Sequence, residues 1–274
     1  MNKNSSQATI EEFWRDYLTS GTSGIEETFR HFFRWLPHDP RCKTCGAPFQ
    51  GAGGLLTRTV FGRKPSNLNP HLCDVCEMFM KKHQGGAEIE LSLLFADVRG
   101  STRLAEGMSP KDFSRLINRF YNTASGVMVQ TDALIDKIIG DQAAGMYVPG
   151  FAGQQHARRA VQAAQEILLA TGHADAAGPW IPLGVGVHTG IAFVGSVGSE
   201  NGTSDITVLG DAPNTAARLA SSAGVGEILI SDAALSASGL DLGDLEIRQL
   251  ALKGKSQPFQ VHVLTKLDTS LISV

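Results

Sequence analysis

Two aspartates stand where strands of the chain are predicted to end, and carboxylates at such positions can bind a hard divalent cation. Asp97 follows the apolar run Leu91–Phe95, and Asp141 follows Gly140 at the end of a second strand candidate, Ala133–Ile139. On neighbouring strands, two such carboxylates could share a pair of Mg²⁺ or Mn²⁺ ions and act on both sides of a phosphoryl displacement. An aspartate before a turn is more often a helix cap, so each of the two taken alone is better explained in that way. Sequence spacing does not show whether the two lie close together in space.

A turn of small residues comes after Asp97 and contains Gly100, Ser101 and Thr102. Small residues let backbone N–H groups approach phosphate oxygens at the start of a helix. The turn is therefore a candidate phosphate-binding segment next to the first carboxylate.

All four cysteines of the chain lie in two C-x-x-C pairs, Cys42 with Cys45 and Cys73 with Cys76. In a reducing compartment this pattern favours metal binding over disulfides. Four thiolates are the ligand set of tetrahedral Zn²⁺, and a closed four-Cys site leaves no position for a substrate. We therefore predict a structural zinc site that folds a segment with few apolar residues of its own. An iron–sulfur cluster, a redox sensor and a metal-free segment are the alternatives.

The chain begins with helical and loop-rich segments. Residues 9–36 have helical character, and Gly21–Gly24 interrupts it. Residues 37–86 hold both cysteine pairs among glycines and prolines that should prevent long regular elements. After residue 86 the apolar strand pattern EIELSLLFADV begins. We place a domain boundary there. Residues 1–86 are then predicted to form a small helical domain that a metal bound by the four cysteines stabilises.

Strands and helices alternate over the rest of the chain. Ser109–Asp112 has the residue types of an N-cap followed by a first helical turn. His156–Thr171 has the period of a second amphipathic helix. Two strands are predicted at Leu183–His188 and Ala192–Val197, around Thr189-Gly190. This order predicts an α/β sandwich with a mixed sheet rather than a doubly wound nucleotide-binding fold.

Composition and charge exclude several classes of protein. With 42% hydrophobic and 19% charged residues the chain is typical of globular proteins, and its net charge of -3 gives no global basic field for nucleic acid or acidic membranes. No apolar stretch approaches the roughly 18–20 residues of a membrane span, and the N-terminus lacks an apolar targeting segment, so a cytoplasmic location and no membrane partner are predicted.

Basic residues cluster around the cysteine pairs, and they leave a nucleic-acid-binding ribbon as an alternative. Few aromatic residues are interleaved with them, so a solvated basic surface is favoured. The basic residues are Arg41, Lys43, Arg58, Arg63, Lys64, Lys81 and Lys82.

Five ordered blocks of sequence resemble the class III nucleotidyl cyclases. They are FADVRGST (95–102), KIIGD (137–141), GVHTG (186–190) with VGSVG (194–198), LGDAPNTAARLAS (209–221) and ALKGK (251–255). The resemblance covers about residues 88–265 and leaves the four-Cys segment outside. It implies a ferredoxin-like α+β catalytic domain with a mixed sheet, which we delimit as residues 87–268.

The resemblance assigns the two aspartates to metal binding. Asp97 and Asp141 match the two metal-binding aspartates of the family, and the backbone of Val98 is an additional ligand. Two Mg²⁺ or Mn²⁺ ions per active site are implied. One would lower the pKa of the ribose 3′-hydroxyl, and the other would hold the triphosphate.

The resemblance also assigns the residues that contact the nucleotide. Lys137 matches the purine-reading position where adenylate cyclases carry Lys and guanylate cyclases usually Glu. Thr207 falls at the second such position, where many adenylate cyclases have Asp and guanylate cyclases Cys; Thr there is similar to a bacterial subgroup that includes bicarbonate-responsive members. Asn214 and Arg218 match the pair that orients the ribose and stabilises charge on the α-phosphate. Lys253 matches a triphosphate-binding lysine.

The implied function is that of an adenylate cyclase, a lyase that converts ATP to 3′,5′-cyclic AMP and pyrophosphate. In this family the metal-binding aspartates and the Asn/Arg/Lys set come from opposite subunits, so the chain should act as a head-to-tail homodimer with two sites. A guanylate cyclase is one alternative. A weakly active nucleotide-binding regulator that responds through the four-Cys site is another.

Three further residues bear on activity. Ile191 stands where vertebrate members of the family carry a basic phosphate-contacting residue, and Pro213 replaces a common Val. Each departure could weaken activity without removing a metal ligand. His188 lies inside an apolar strand candidate, so we interpret it as a hydrogen-bonded core histidine rather than a general base.

Overall fold

The computed structural model describes residues 3–22, 25–37, 39–198, 204–252 and 257–265. Within these ranges the chain forms ten helices and eight strands. The helices are α1 Lys3–Ser20, α2 Ile25–Phe33, α3 Gly51–Phe61, α4 Asp74–Lys82, α5 Ser101–Glu106, α6 Pro110–Gln130, α7 Pro149–Ala152, α8 His156–Ala170, α9 Asp211–Ser222 and α10 Asp232–Ser238. The strands are β1 Gly85–Val98, β2 Leu134–Ile139, β3 Gln142–Tyr147, β4 Leu183–Gly198, β5 Ser204–Leu209, β6 Ile228–Ser231, β7 Glu246–Leu250 and β8 Phe259–Leu264.

The chain divides into two compact units, and each is built from separate stretches of sequence. The first contains Met1–Ile89, Val148–Gly153 and Ala192–Leu209, and the second contains the remaining stretches. The cysteine segment therefore shares a unit with β5 and the second half of β4. The division into domains 1–86 and 87–268, which follows the change of sequence pattern after residue 86 and the family resemblance, stays a prediction.

A mixed sheet organises the second unit. Its strands follow the order β2-β3-β1-β4-β6-β8-β7. β1 pairs with β3 in antiparallel fashion, whereas β4 and β6 are parallel. The amphipathic helices α6 and α8 pack on the sheet, and α6 does so through buried side chains that include Phe120 and Met128. The predicted mixed α/β architecture is confirmed.

β4 is a single strand of 16 residues, where the sequence predicted two strands separated at Thr189-Gly190. Thr189 stays in the strand, and its hydroxyl lies 2.6 Å from that of Ser92. Gly190 is not among the glycines with a left-handed backbone. The prediction of a break was wrong because a glycine between strand-forming residues permits a turn without requiring one.

Helix α3 occupies part of the segment that the sequence predicted to be irregular. Gly53 and Gly54 are buried within it. A β-carbon on Gly53 would collide with the carbonyl oxygen of Pro37, and one on Gly54 would collide with the backbone of Phe49. These glycines allow close packing of a helix of 11 residues, so the expectation that they prevent a long regular element here was wrong.

The N-terminus of α6 is capped as the sequence predicted. The Oγ of Ser109 accepts the backbone N–H of Asp112 at 3.2 Å. We expect Ser109→Ala to lower the free energy of unfolding by about 1 kcal/mol, because one N–H of the first turn loses its acceptor. Ser114→Ala, on the exposed face of the same helix, should cause no such loss. Urea denaturation followed by circular dichroism measures both variants, and equal losses would contradict the capping role.

Candidate active site

Strands β1 and β3 bring the two predicted metal-binding aspartates side by side. In the antiparallel register Asp97 lies opposite Gln142, the residue after Asp141. The backbone N–H of Val98 donates to the carbonyl oxygen of Asp141 at 3.0 Å. Asp97 is buried, with 7% of its surface exposed. The proximity that sequence spacing could not establish therefore follows from the pairing of two strand ends.

Arg99 lies against the carboxylate of Asp97 and connects it to α9. Its guanidinium forms an ion pair with Asp97, and Nη1 donates to the carbonyl oxygen of Ser221 in the last turn of α9 at 2.6 Å. Burial lowers the pKa of Arg99, and the charge of Asp141 opposes this shift. The guanidinium nevertheless stays cationic. Sequence reasoning missed this residue, because an arginine two residues after an aspartate does not by itself indicate an ion pair, and Ser221 is distant in the chain.

Two hydroxyl groups fix the position of Asp141 and of the residue before it. Ser101 Oγ donates to Oδ2 of Asp141 at 2.5 Å. The phenol of Tyr121, in α6, donates to the carbonyl oxygen of Gly140 at 2.6 Å. Gly140 has a φ of 67°, a backbone conformation that favours glycine. Burial raises the pKa of Tyr121, and the charge of Asp141 adds to this effect, so the phenol is protonated and can donate at neutral pH.

The donors gathered at these strand ends fit a hard divalent cation. Asp97 and Asp141 offer carboxylate oxygens, and Val98 offers a backbone carbonyl, which are the ligand types of Mg²⁺ and Mn²⁺. Gly100, with a φ of 66°, turns the chain into α5, whose first turn contains Thr102. The predicted phosphate-binding turn thus directly follows the strand end that carries Asp97.

Asn214 and Arg218 lie four residues apart on α9 and share one face of that helix. Asn214 is exposed, and its Nδ2 donates to the carbonyl oxygen of Gly210 at 2.9 Å. Arg218 is half-buried, and within the described ranges it forms no hydrogen bond or ion pair. α9 therefore presents a guanidinium without a partner in the described part of the chain, beside an amide that uses one of its N–H groups within the helix.

The other predicted nucleotide-binding residues lie on separate elements. Thr207 lies in β5, where it pairs with Gly195 of β4. Lys137 lies in β2 opposite Ala144 of β3, at a shift in the strand register. Lys253 falls outside the described residues.

The structure also places the three residues that bear on activity. His188 Nδ1 lies 2.9 Å from Ser231 Oγ, and its ring contacts that of Phe259 edge-on. Its interpretation as a hydrogen-bonded histidine is confirmed, although the ring is partly rather than fully buried. Ile191 is 65% exposed, whereas Pro213 is buried in the first turn of α9, a position that tolerates proline.

The four cysteines converge in the first unit. All are buried, none forms a disulfide, and their Sγ atoms lie within 4.8 Å of one another. The Sγ atoms of Cys45 and Cys73 are 3.9 Å apart. Zinc–sulfur bonds of about 2.3 Å place the sulfurs of a tetrahedral site roughly 3.8 Å apart. The geometry is thus compatible with the predicted metal site, which we call the thiolate cluster.

Arg63 provides a buried cation beside the thiolate cluster. Its Nη1 lies 3.5 Å from the Sγ atoms of both Cys73 and Cys76, and its guanidinium lies over the ring of Phe29. Burial opposes the charged form, but the charges of Cys45 and Cys73 raise the pKa of Arg63 above its usual value. The interpretation of the local basic residues as solvated surface is wrong for Arg63, because only 6% of its surface is exposed.

The mixed α/β sheet, with two aspartates at adjacent strand ends, agrees with the predicted nucleotide cyclase domain. Residues 85–265 match the adenylate and guanylate cyclase catalytic domain, and the chain belongs to this family. The adenylate cyclase of Anabaena cylindrica is 32% identical over 135 residues, which cover 47% of this chain and 26% of that protein. An adenylate cyclase of Mycobacterium tuberculosis strain H37Rv is 34% identical over 146 residues, or 52% of this chain and 32% of that protein. The chain therefore matches less than a third of the length of either relative.

Two solved structures share the fold. The guanylyl cyclase Cya2 superposes with a TM-score of 0.61 and 26% identity, covering 68% of this chain and 96% of that one. The adenylyl cyclase CyaB from P. aeruginosa superposes with a TM-score of 0.57 and 29% sequence identity, covering 66% of this chain and 97% of that one. The predicted cyclase fold is confirmed. Among the described helices, none has the length and apolar character needed to cross a bilayer.

The hydrogen bond from Ser101 to Asp141 gives a prediction for metal binding. We expect Ser101→Ala to weaken the binding of Mn²⁺ roughly tenfold, because the carboxylate loses the group that orients it. Thr123→Ala removes a hydroxyl that bonds only within α6 and should leave the affinity unchanged. Calorimetric titration with Mn²⁺ measures both, and unchanged binding in Ser101→Ala would exclude the orienting role.

Proposed function

We propose that the protein is an adenylate cyclase that converts ATP to 3′,5′-cyclic AMP and pyrophosphate at two sites shared between two copies of the chain. The observation that carries this proposal is the pairing of β1 with β3, which sets Asp97 beside Asp141. Membership of the cyclase family and curated relatives named adenylate cyclase support the reaction class.

Each carboxylate has a distinct support in the proposed site. Divalent metal ions bound by Asp97, Asp141 and the Val98 carbonyl would supply Lewis acidity that lowers the pKa of the ribose 3′-hydroxyl and offsets the charge of the triphosphate. Asp97 is held by Arg99, and Asp141 is held by Ser101. Fixed carboxylates need little reorganisation when the substrate arrives, which favours catalysis.

The groups on α9 are proposed to act on the nucleotide. The guanidinium of Arg218 would bind the α-phosphate as negative charge develops there, and the amide of Asn214 would orient the ribose. The half-buried position of Arg218, without a partner among the described residues, supports this role. In-line attack by the 3′-oxygen then requires no covalent intermediate with the protein.

The proposed substrate contacts extend to both ends of ATP. Lys137 and Thr207 would read the adenine, and Lys253 would bind the triphosphate. The small residues that follow Asp97, from Gly100 to Thr102, would approach the phosphates through their backbone N–H groups. A guanylate cyclase is the second candidate, because solved guanylyl cyclases share the fold. Lys137 favours adenine, and turnover of ATP against GTP decides between the two.

Complementation between inactive variants tests the shared site. Asp97→Ala and Arg218→Ala should each lose at least about 100-fold in cyclic AMP formation with Mn²⁺, since each removes a group that acts on the transition state. An equal mixture should recover about one quarter of the wild-type rate, because half of randomly mixed dimers are heterodimers with one complete site.

Two results would contradict the proposal for the active site. Absence of recovery in the mixture, with dimers confirmed by light scattering, would reject the sharing of sites between chains. No cyclic AMP from the wild-type protein, with either Mg²⁺ or Mn²⁺, would reject the cyclase activity itself. A mixture of Asp97→Ala with Asp141→Ala is the matched control and should stay inactive, because both substitutions remove groups from the same half-site.

We also propose that the thiolate cluster holds one structural Zn²⁺. The convergence of four buried thiols and the adjacent cation of Arg63 support this assignment, because a tetrathiolate zinc site carries net negative charge that a buried guanidinium offsets. Nucleic-acid binding by this segment is not favoured, since Arg63 faces the thiols rather than solvent.

Elemental analysis of the purified protein tests the zinc assignment. We expect about one zinc per chain and no iron, and loss of that zinc in Cys76→Ser because three thiolates bind the ion less tightly. Ser66→Ala, which leaves all four thiols in place, should retain the zinc. Visible absorption and stoichiometric iron would instead indicate an iron–sulfur cluster, and a metal-free wild-type protein would reject the assignment.

A further inference from the structure

Helix α4 lies between the thiolate cluster and the strand pair of β4 and β5, which contains Thr207, all within the first unit. At its N-terminus, Cys73 is the N-cap residue, and its Sγ accepts the backbone N–H of Cys76 at 3.4 Å. Two of the four thiols are therefore part of the first turn of this helix. Whatever binds the cluster fixes the direction in which α4 leaves it.

The opposite end of α4 contacts the β4–β5 ladder, by which we mean the paired residues 193–198 and 204–209. The carbonyl oxygen of Lys81 accepts hydrogen bonds from the hydroxyls of both Ser196 and Ser204, each at 2.7 Å. The last carbonyls of a helix have no partner within it, and here the ladder supplies two donors to one of them. Lys81 Nζ also lies 3.1 Å from Oδ1 of Asp205 and 3.7 Å from Oε1 of Glu77.

The backbone that follows α4 packs on the same ladder without intervening side chains. A β-carbon added to Gly195 would collide with the backbone of Gly85 and Gly86. Gly195 is the residue that pairs with Thr207 across the ladder. α4 thus contacts β5, which carries the predicted purine-reading residue, and the chain directly after α4 contacts β4, the strand that pairs with it.

The order of α4 depends on both of its ends. It has nine residues, and isolated helices shorter than about 12–15 residues are marginal in water. Glu77, in its first turn, is buried with 8% of its surface exposed and bonds to Ser66 and Asn69. A helix fixed by thiols at one end and by a strand ladder at the other can transmit order between them.

We infer that the thiolate cluster controls the position of Thr207 through α4, so that metal bound at the cluster sets the affinity of the protein for the adenine nucleotide. The role of Thr207 in this inference rests on the proposed function. The mechanical connection from the cluster to β5 does not. Metal-loaded clusters order α4 and the ladder, and loss of the metal loosens β5 and weakens nucleotide binding.

Hydrogen–deuterium exchange on the full chain tests the connection without reference to catalysis. Removal of the metal with a chelator should accelerate amide exchange in residues 204–209 at least about fivefold. The double variant Ser204→Ala and Asp205→Asn breaks two contacts with Lys81 and leaves all cysteines in place. It should give the same acceleration while its zinc content stays at the wild-type level. Lys82→Ala, an exposed neighbour of Lys81, is the matched control and should change neither quantity.

Binding of 3′-deoxy-ATP, which lacks the attacking hydroxyl, tests the consequence for the nucleotide. We expect its dissociation constant to rise at least about fivefold in the double variant and not in Lys82→Ala. Unchanged exchange of residues 204–209 in the double variant would overturn the connection through α4. Accelerated exchange with unchanged affinity would overturn the link to Thr207. If the wild-type protein forms no cyclic AMP but the double variant shows the accelerated exchange, the proposed cyclase activity is rejected. The connection between the thiolate cluster and β5 through α4 is then still supported.

Discussion

The antiparallel register of β1 against β3 is the constraint on which the candidate active site depends. It sets Asp97 opposite the neighbour of Asp141, so that two strand ends supply two carboxylates to one place. A shift of one residue would turn the side chains of a strand to the opposite face and separate them. β1 is buried from Leu91 to Val98 and lies between β3 and β4, so strands on both sides fix its place in the sheet. The apolar core and the site are thus specified by the same residues.

Much of this arrangement could be predicted from local sequence, and the remainder required contacts between distant residues. The apolar run before Asp97 predicts its strand, Ser109 predicts the start of α6, and the spacing of the cysteines predicts their convergence. The partners of Arg63 and Arg99 could not be predicted, because a basic residue in a sequence has the same appearance on a surface and beside a buried anion. Glycine was ambiguous for a similar reason, since Gly54 in α3 permits close packing whereas Gly140 permits a left-handed turn.

Two arginines, Arg63 fully and Arg99 partly buried, each lie beside a cluster of acidic groups in different parts of the chain. Arg63 lies beside four thiols, and Arg99 lies beside the paired carboxylates. Concentrating negative charge in a protein interior is costly unless a cation offsets it. A guanidinium suits this task because it presents several donors in a fixed plane and stays charged when buried. Each arginine therefore stabilises its anionic cluster and restricts the geometry in which the cluster can exist.

The two contacts of Arg99 have a consequence for the kinetics of a dimer. Its guanidinium binds Asp97 on one side and the carbonyl oxygen of Ser221, at the C-terminal end of α9, on the other. In the proposed dimer, Asp97 belongs to one catalytic site, while Asn214 and Arg218 on α9 belong to the other. In that dimer, the side chain of Arg99 would connect the metal-binding residues of one site to the helix that contributes to the other. Substrate binding at one site would then change the affinity of the second site.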